Sequence, residues 1–294
     1  MVELFRIFYQ FCDSFAFLLL SAIGLAVIFG MMGIINQAHG EFIMLGAYIS
    51  SLLAVRANVP LPAAILAGAI GTGLFGLVID RLIICRLYNR PLDSIVVTWG
   101  ISLIMSQGMR ILLGPSIEGK PTPLGSFVIG NEKYSVYRML LVVIAIGLVI
   151  LVYWLFMHTD FGLKARATMQ KCDIANSLGV NSNKMYALTF MFGSALAGLV
   201  GGLYAPTLSV VPGLGSNFNM QAFVTVIVGG ANPLVGTIMS SSFLGLVNSS
   251  LSMLFGTFIG KVGLMIMAIL FIRLCPLGFS GMADHYSVKR GKRV

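Results

Sequence analysis

Long apolar runs alternate with short polar interruptions along most of the chain. Nine such runs can be marked, at roughly 14–35, 41–56, 61–79, 94–113, 139–157, 184–205, 220–231, 235–256 and 259–276. Phe15 to Ile35 carries no charge over 21 residues. As a helix that stretch is about 31 Å long, matching a bilayer hydrocarbon core of roughly 30 Å. The second run is short for a crossing. The seventh is shorter still, below the ~17 residues that a straight crossing needs. The pattern predicts an all-α, polytopic integral membrane protein of about eight to ten transmembrane helices, some of them short or broken.

The polar interruptions carry the rest of the information. The first, inside "GMMGIINQAHGEFIMLGAYIS", places Asn36, Gln37, His39 and Glu41 within six residues, with Gly33 and Gly40 beside them. Such a stretch is either a loop at the water surface or backbone unwound where something other than lipid passes. Small residues recur at four-residue spacing in Gly68, Thr72 and Gly76, and again in Gly193, Ala197 and Gly201, with Gly198 and Gly202 alongside. That spacing predicts helices whose backbones approach closely. It says nothing about cargo.

Composition narrows the class. Only 10% of the 294 residues are charged and 57% are hydrophobic, with a mean hydropathy of +0.94. Soluble domains average about 25% charged residues, so the chain reads as one membrane domain over residues 1–294. The first 13 residues hold Glu3, Arg6 and Asp13, unlike the basic start of a signal peptide, and the run that follows is of spanning length. The first helix is therefore expected to be retained.

The net charge of +9 points to topology rather than to nucleic acid. Basic residues gather at Arg81, Arg86 and Arg90; at Lys164, Arg166, Lys171 and Lys184; and at Lys289, Arg290, Lys292 and Arg293. Each group abuts the end of an apolar run, the pattern that marks cytoplasmic loops. If all nine runs cross, these groups share the cytoplasmic side with the C-terminus. The N-terminus, the 57–60 turn and a periplasmic loop at 114–138 then lie on the opposite side. Cys12, Cys85, Cys172 and Cys275 are scattered singly, three of them near expected cytoplasmic ends, and read as small packing side chains.

Signals of catalysis are sparse. His39, His158 and His285 are far apart, no H-E-x-x-H or G-x-S-x-G occurs, and "GTFIGKV" at Gly256–Val262 lacks the spacing and the Lys-Ser/Thr ending of a phosphate loop. His39 and Glu41, the one close pair, would point apart on a helix. No catalytic residue, metal site or bound cofactor is expected in this chain.

The loop at 158–184, within "HTDFGLKARATMQKCDIANSLGVNSNKMYALTF" (His158 to Phe190), is the longest basic interruption. Its middle can be helical, with Lys164, Lys171, Ala175 and Leu178 near one face. Gly179 would then end the helix in the left-handed conformation. A short docking helix for a cytoplasmic partner is the reading this supports.

From here the sequence resembles a known family. "RATMQKCDIANSLGVNSNKMYALTFMFGSALAGLVGGLYAP" resembles the cytoplasmic loop and following helix of the LivH/LivM-type permeases. "GLAVIFGMMGIINQAHGEFIMLGAY" resembles their other hallmark, and "VIVGGANPLVGT" their "GG…G" segment. These are membrane subunits of importers powered by ATP-binding cassettes, for branched-chain amino acids, urea and short amides. The resemblance, from about residue 20 to 280, implies several partners: a second permease, homologous or identical, two ATPase subunits that carry ATP and magnesium, and a periplasmic binding protein. It also implies the bacterial inner membrane. Asp173, Ala175 and Gly179 match loosely the family's ATPase-coupling loop, to which Lys164 and Arg166 also belong. The departure is that little more than A-x-x-x-G remains of that motif.

The substrate stays open at this point. "RPLDSIVVTWGISLIMSQGMRILLGP" looks more like the urea-type branch, where Thr-Trp-Gly commonly stands; branched-chain amino acid members tend to lack that Trp. Branched-chain amino acids are the leading expectation, with urea or short amides as the alternative. Asn36, Gln37, His39, Glu41, Thr98 and Ser102 are the expected path residues, with Ser50 and Ser51 as further hydrogen-bonding groups. Glu41 is expected to answer the positive end of the helix it begins. A stand-alone channel or ion-coupled carrier is the remaining competitor, because coupling usually needs an intramembrane carboxylate and Glu41 is a candidate.

Overall fold

Each of the nine apolar runs forms one helix in the computed structural model, which describes residues 2–88, 90–117, 119, 121–129, 132–230 and 233–281. These helices are α1 (Val2–Met32), α2 (His39–Val55), α3 (Leu61–Leu82), α4 (Pro91–Leu113), α5 (Val136–His158), α8 (Ser182–Tyr204), α9 (Leu214–Gly229), α10 (Pro233–Phe255) and α11 (Thr257–Leu274). Between α5 and α8 lie α6 (Asp160–Gln170) and α7 (Cys172–Ser177). Two short strands, β1 (Ser126–Ile129) and β2 (Glu132–Ser135), form an antiparallel hairpin before α5.

Among the described residues seven helices are long and apolar enough to cross a membrane. The two short runs form shorter helices, 17 residues in α2 and 16 in α9. Apolar side chains such as Ile104, Ile111, Val143 and Ile150 are exposed on α4 and α5, as expected of faces that meet lipid rather than water. The protein is a multi-pass, all-α membrane protein. The C-terminal basic group 289–293 and His285 lie outside the described residues, as do Ala231 and Asn232 within the "GG…G" segment.

The chain forms two compact units. One comprises residues 23–122 and 148–220. Within it α8 is the hub, because its small residues admit three neighbours. A Cβ at Gly198 would meet Thr72 Cβ at 2.5 Å and Gly68 O at 2.8 Å on α3. One at Gly201 would overlap Ile43 O on α2, and one at Gly193 would meet Gly24 O at 2.9 Å on α1. The four-residue spacing of small side chains therefore marks real backbone contacts. Phe42 and Phe190 fill the space between them, edge to face with centroids 5.9 Å apart.

The other unit comprises residues 1–22, 123–147 and 221–294. Its core joins Leu18, Val228, Leu244, Leu264 and Ala268, with Phe243, Phe271 and Phe279 packed against it. Phe271 and Phe279 stack at 4.3 Å. Near the hairpin, Phe5, Tyr9, Phe127 and Tyr134 form an aromatic cluster.

Candidate functional site: an unwound segment between α1 and α2

Gly33 ends α1. Its φ of +64° is the left-handed conformation that glycine adopts without a steric penalty, and a Cβ there would touch nothing within 4 Å. The next residues, Ile34 to Ala38, are not helical. They are not a solvated loop either, since Ile34, Asn36 and Ala38 are buried and Gln37 is half-buried.

Backbone polar groups in such a place must find partners, and side chains supply them. Asn36 Oδ1 accepts from Ala38 N–H at 3.0 Å, a local turn that leads the chain into α2. Thr98 Oγ1 on α4 accepts from Gln37 N–H at 3.0 Å while its own hydroxyl donates to Ser94 O at 2.6 Å. One helical turn along α4, the Ser102 hydroxyl donates to Glu41 Oε1 at 3.3 Å. Gln37 and Glu41 are four residues apart, and so are Thr98 and Ser102. The unwound segment and the start of α2 thus meet α4 through two polar rungs at matched helical spacing.

Asn219 on α9 is the anchor that the sequence reading missed. Its Nδ2 donates to Gln37 O at 2.8 Å and reaches Gln37 Oε1 at 3.3 Å, while its Oδ1 accepts from Gly40 N–H at 3.3 Å. Gly40 N–H belongs to the first turn of α2, whose donors lack partners within the helix. Two glycines make this reach possible. A Cβ at Gly40 would collide with Gly215 O, and one at Gly215 would meet Gly40 O at 2.7 Å. The seventh apolar run was drawn from residue 220, whereas α9 begins at Leu214. The available signal was "GLGSNFNMQ", Gly213 to Gln221, in which glycines and amide side chains crowd the start of an apolar run.

The expected residues divide accordingly. Asn36, Gln37, Glu41, Thr98 and Ser102 come together; Ser50 and Ser51 are buried farther along α2. His39 packs toward α1, its Cε1 3.0 Å from where a Cβ of Gly24 would stand. Glu41 lies in the first turn of α2, where a carboxylate opposes the helix dipole, but its side-chain oxygen is engaged with Ser102 rather than with a first-turn N–H. Trp99 is 59% exposed, so within the Thr-Trp-Gly motif it is Thr98 that touches the unwound segment.

The loop at 158–184 differs from the single helix expected there. Lys171 is extended (φ −151°, ψ 93°) and separates α6 from α7, so Lys164 and Leu178 do not share one continuous face. Thr159 caps α6 by accepting from Gly162 N–H at 3.2 Å. Gly179 does end α7, with φ +85°. Its N–H bonds Asn176 O at 3.0 Å and Val180 N–H bonds Ala175 O at 3.0 Å, the paired closure of a Schellman motif. Ala175 is buried, while Lys164 and Asp173 are exposed and Arg166 is half-buried. Leu163, Met169, Ile174 and Leu178 are large apolar side chains exposed on the same loop. Asn176 Oδ1 ties α7 to the start of α8 by accepting from Ser182 Oγ at 2.7 Å.

Close to this loop, Tyr88 donates to the fully buried Asp80 at 2.8 Å and packs edge-on against Tyr186 at 4.7 Å. Burial, reinforced by the neighbouring Asp80 carboxylate, raises the Tyr88 phenol above its ordinary pKa and keeps it a donor. Among the described residues no three His, Cys, Asp or Glu side chains converge as metal ligands would.

The arrangement gathers amide and hydroxyl hydrogen-bonding groups, with the Glu41 carboxylate at its edge, at an unwound point between helices. Comparison with known proteins agrees in kind. A protein-family model described as "Branched-chain amino acid transport system / permease component" matches residues 7–274. The high-affinity branched-chain amino acid transport system permease protein BraD of Pseudomonas aeruginosa is 32% identical over 287 residues, covering 90% of this chain and 92% of BraD. LivH of Escherichia coli is 28% identical over 281 residues, covering 90% and 91% of the two chains. A probable LivH of Methanocaldococcus jannaschii is 27% identical over 298 residues, covering 93% and 91%. No solved structure matches. With the family model covering nearly the whole chain, the protein belongs to the branched-chain amino acid transport permease family.

Proposed function

We propose that this chain is the permease subunit of an ATP-driven importer in a bacterial inner membrane, and that it carries branched-chain amino acids. The observation that carries the reading is the unwound, buried segment Asn36–Ala38, held by Thr98 of α4 and Asn219 of α9. Irregular backbone at membrane depth is tolerated where it is packed in protein or lines an aqueous path, and broken helices form the solute sites of many transporters. Uncharged amides and hydroxyls hold a small polar solute weakly enough to release it, as conduction demands.

The chain itself acts as a transport subunit without chemistry of its own. ATP and magnesium belong to two cytoplasmic ATPase subunits, a second permease completes the pathway, and a periplasmic protein delivers the solute. The loop 158–184 is the coupling element. Its exposed Ile174 and Leu178 offer an apolar docking surface, and Asn176 transmits displacement of α7 to α8. Residues 1–294 work as one permease domain.

The test is uptake into proteoliposomes holding the complete importer, with leucine, isoleucine, urea and isobutyramide offered through the cognate binding protein. ATP-dependent leucine uptake, lost in Leu178→Glu with the complex still assembled in the membrane, is the expected result. Uptake of urea without leucine would move the assignment to the urea branch, which the Thr98-Trp99-Gly100 motif resembles. Leucine uptake without ATP or the ATPases would point to a stand-alone carrier.

A further inference from the structure

Beyond the unwound segment, the unit formed by residues 1–22, 123–147 and 221–294 contains a second polar feature among its described residues. A hollow of about 480 Å³ opens beside the N-terminal half of α1, between the β1–β2 hairpin and the Gly256 turn that joins α10 to α11. On the charge-derived topology this is the external end of the unit.

Two ion pairs frame the hollow, Arg6 Nη1 with Glu132 Oε1 at 3.3 Å and Arg138 Nη1 with Asp13 Oδ2 at 2.7 Å. Two further cations line it, Lys133 and Lys261, and neither has a carboxylate within 4.0 Å among the described residues. The hollow therefore carries an excess of positive charge over its own acidic groups.

Two neutral polar atoms give the excess a direction. Tyr134 is 3% exposed and lines the hollow, yet its hydroxyl has no hydrogen-bond partner among the described residues. Asn248, which donates through Nδ2 to Ser14 Oγ at 3.2 Å, keeps a buried Oδ1 without a donor. Leaving a buried polar atom unmatched is costly, and the two here have opposite character. One is a phenol donor in a hollow also lined by Lys133 and Lys261, suited to a carboxylate; the other is an amide acceptor, suited to an ammonium group. Met253 and the ring of Tyr9 also line the hollow and supply apolar wall.

We propose that this hollow binds a free α-amino acid with an aliphatic side chain, as the zwitterion. Its carboxylate rests on Lys133, Lys261 and Tyr134 Oη, and its ammonium on Asn248 Oδ1. The proposal rests on the importer reading above and extends it to a receiving site on the outer face. Urea, which has no carboxylate, leaves both lysines unanswered, so the site discriminates by charge between the two substrate classes that the sequence left open.

The decisive substitution is Tyr134→Phe, which removes one oxygen and keeps the ring contacts to Phe5 and Tyr9. Isothermal titration of the complete importer in nanodiscs, without binding protein, measures L-leucine, 4-methylpentanoate, isopentylamine and urea. L-leucine is expected to bind, urea and isopentylamine to bind at least tenfold more weakly, and Tyr134→Phe and Lys261→Gln each to weaken leucine by about tenfold. The thermal midpoint of ligand-free Tyr134→Phe should be equal to or above that of the natural protein, since an unmatched buried hydroxyl has been removed. Absence of leucine binding, unchanged affinity in both variants, or urea binding as tightly as leucine would overturn the proposal. Leucine uptake by the same preparation reports separately on the importer reading. Normal uptake with unaffected variants removes the outer site alone, and no uptake with variant-sensitive binding removes the importer assignment alone.

Discussion

Replacing Asn219 by leucine, nearly its equal in shape, isolates what the anchor does. The natural side chain gives one hydrogen bond to Gln37 O at 2.8 Å and takes one from Gly40 N–H at 3.3 Å. Neither backbone group has another described partner in helix or strand, because one lies in the unwound segment and the other in the first turn of α2. Each unmatched buried group costs about 1–3 kcal/mol; the longer contact at Gly40 falls at the low end. Together the substitution should cost about 2–4 kcal/mol. That corresponds to a drop of roughly 3–6 °C in the unfolding midpoint for a chain of this size. The transport consequence should be larger than the stability one, since the loss falls on the segment assigned to the path. The assay pairs thermal unfolding in nanodiscs with ATP-driven leucine uptake normalised to assembled complex. Asn219→Asp serves as the companion: it keeps the acceptor for Gly40, loses the donor to Gln37, and buries a carboxylate. If Asn219→Leu unfolds and transports as the natural protein does, the anchoring role is wrong.

Further outcomes follow from the same geometry. Thr98→Val keeps the shape of the side chain but leaves Gln37 N–H without its 3.0 Å acceptor; about 1–3 kcal/mol of stability should be lost, whereas Trp99→Phe on the exposed face should leave leucine uptake intact. Gly201→Ala drives a methyl into Ile43 O and to within 2.8 Å of Ala47 N. Because both atoms are backbone, α2 and α8 must separate, at a cost of about 1–3 kcal/mol or more, read as loss of folded protein on size exclusion after mild heating. At Gly179 a Cβ meets nothing within 4 Å, so only the φ of +85° is at stake. Gly179→Ala should reduce solute-stimulated ATPase activity while Gly179→Asn, which tolerates that conformation, should retain most of it; equal behaviour of the two would show that the left-handed closure of α7 is immaterial.

Much of this architecture is written in local sequence. Apolar runs have one low-energy fate in a bilayer, because a helix satisfies its own backbone there. Hence all nine runs formed helices. The four-residue spacing of Gly193, Ala197 and Gly201 likewise identified close-packed helices, since small side chains at that period have no comparable use on a lipid-facing surface. Gly179 was legible as a helix terminator because the left-handed conformation is a property of a single residue. The extended Lys171 was not, and the loop at 158–184 became two helices where periodicity alone predicted one.

The partners in space were what the sequence withheld. "NQAHGE" was equally compatible with a water-exposed loop and with a buried break; burial of Asn36 and Glu41 depends on what packs around them. The glycines and amides around Asn219 mark a polar start to α9, but they do not say that its partner lies 182 residues away. Glu41 shows the same limit. Its position in the first turn suggested a role at the helix end, but the reach of Ser102 from α4 decided where its oxygen went. Helix formation is governed by groups a few residues apart, so sequence determines it. Satisfaction of a buried polar group is governed by whichever distant residue arrives within 3 Å, and only the tertiary packing of small residues on α2, α8 and α9 decides which one does.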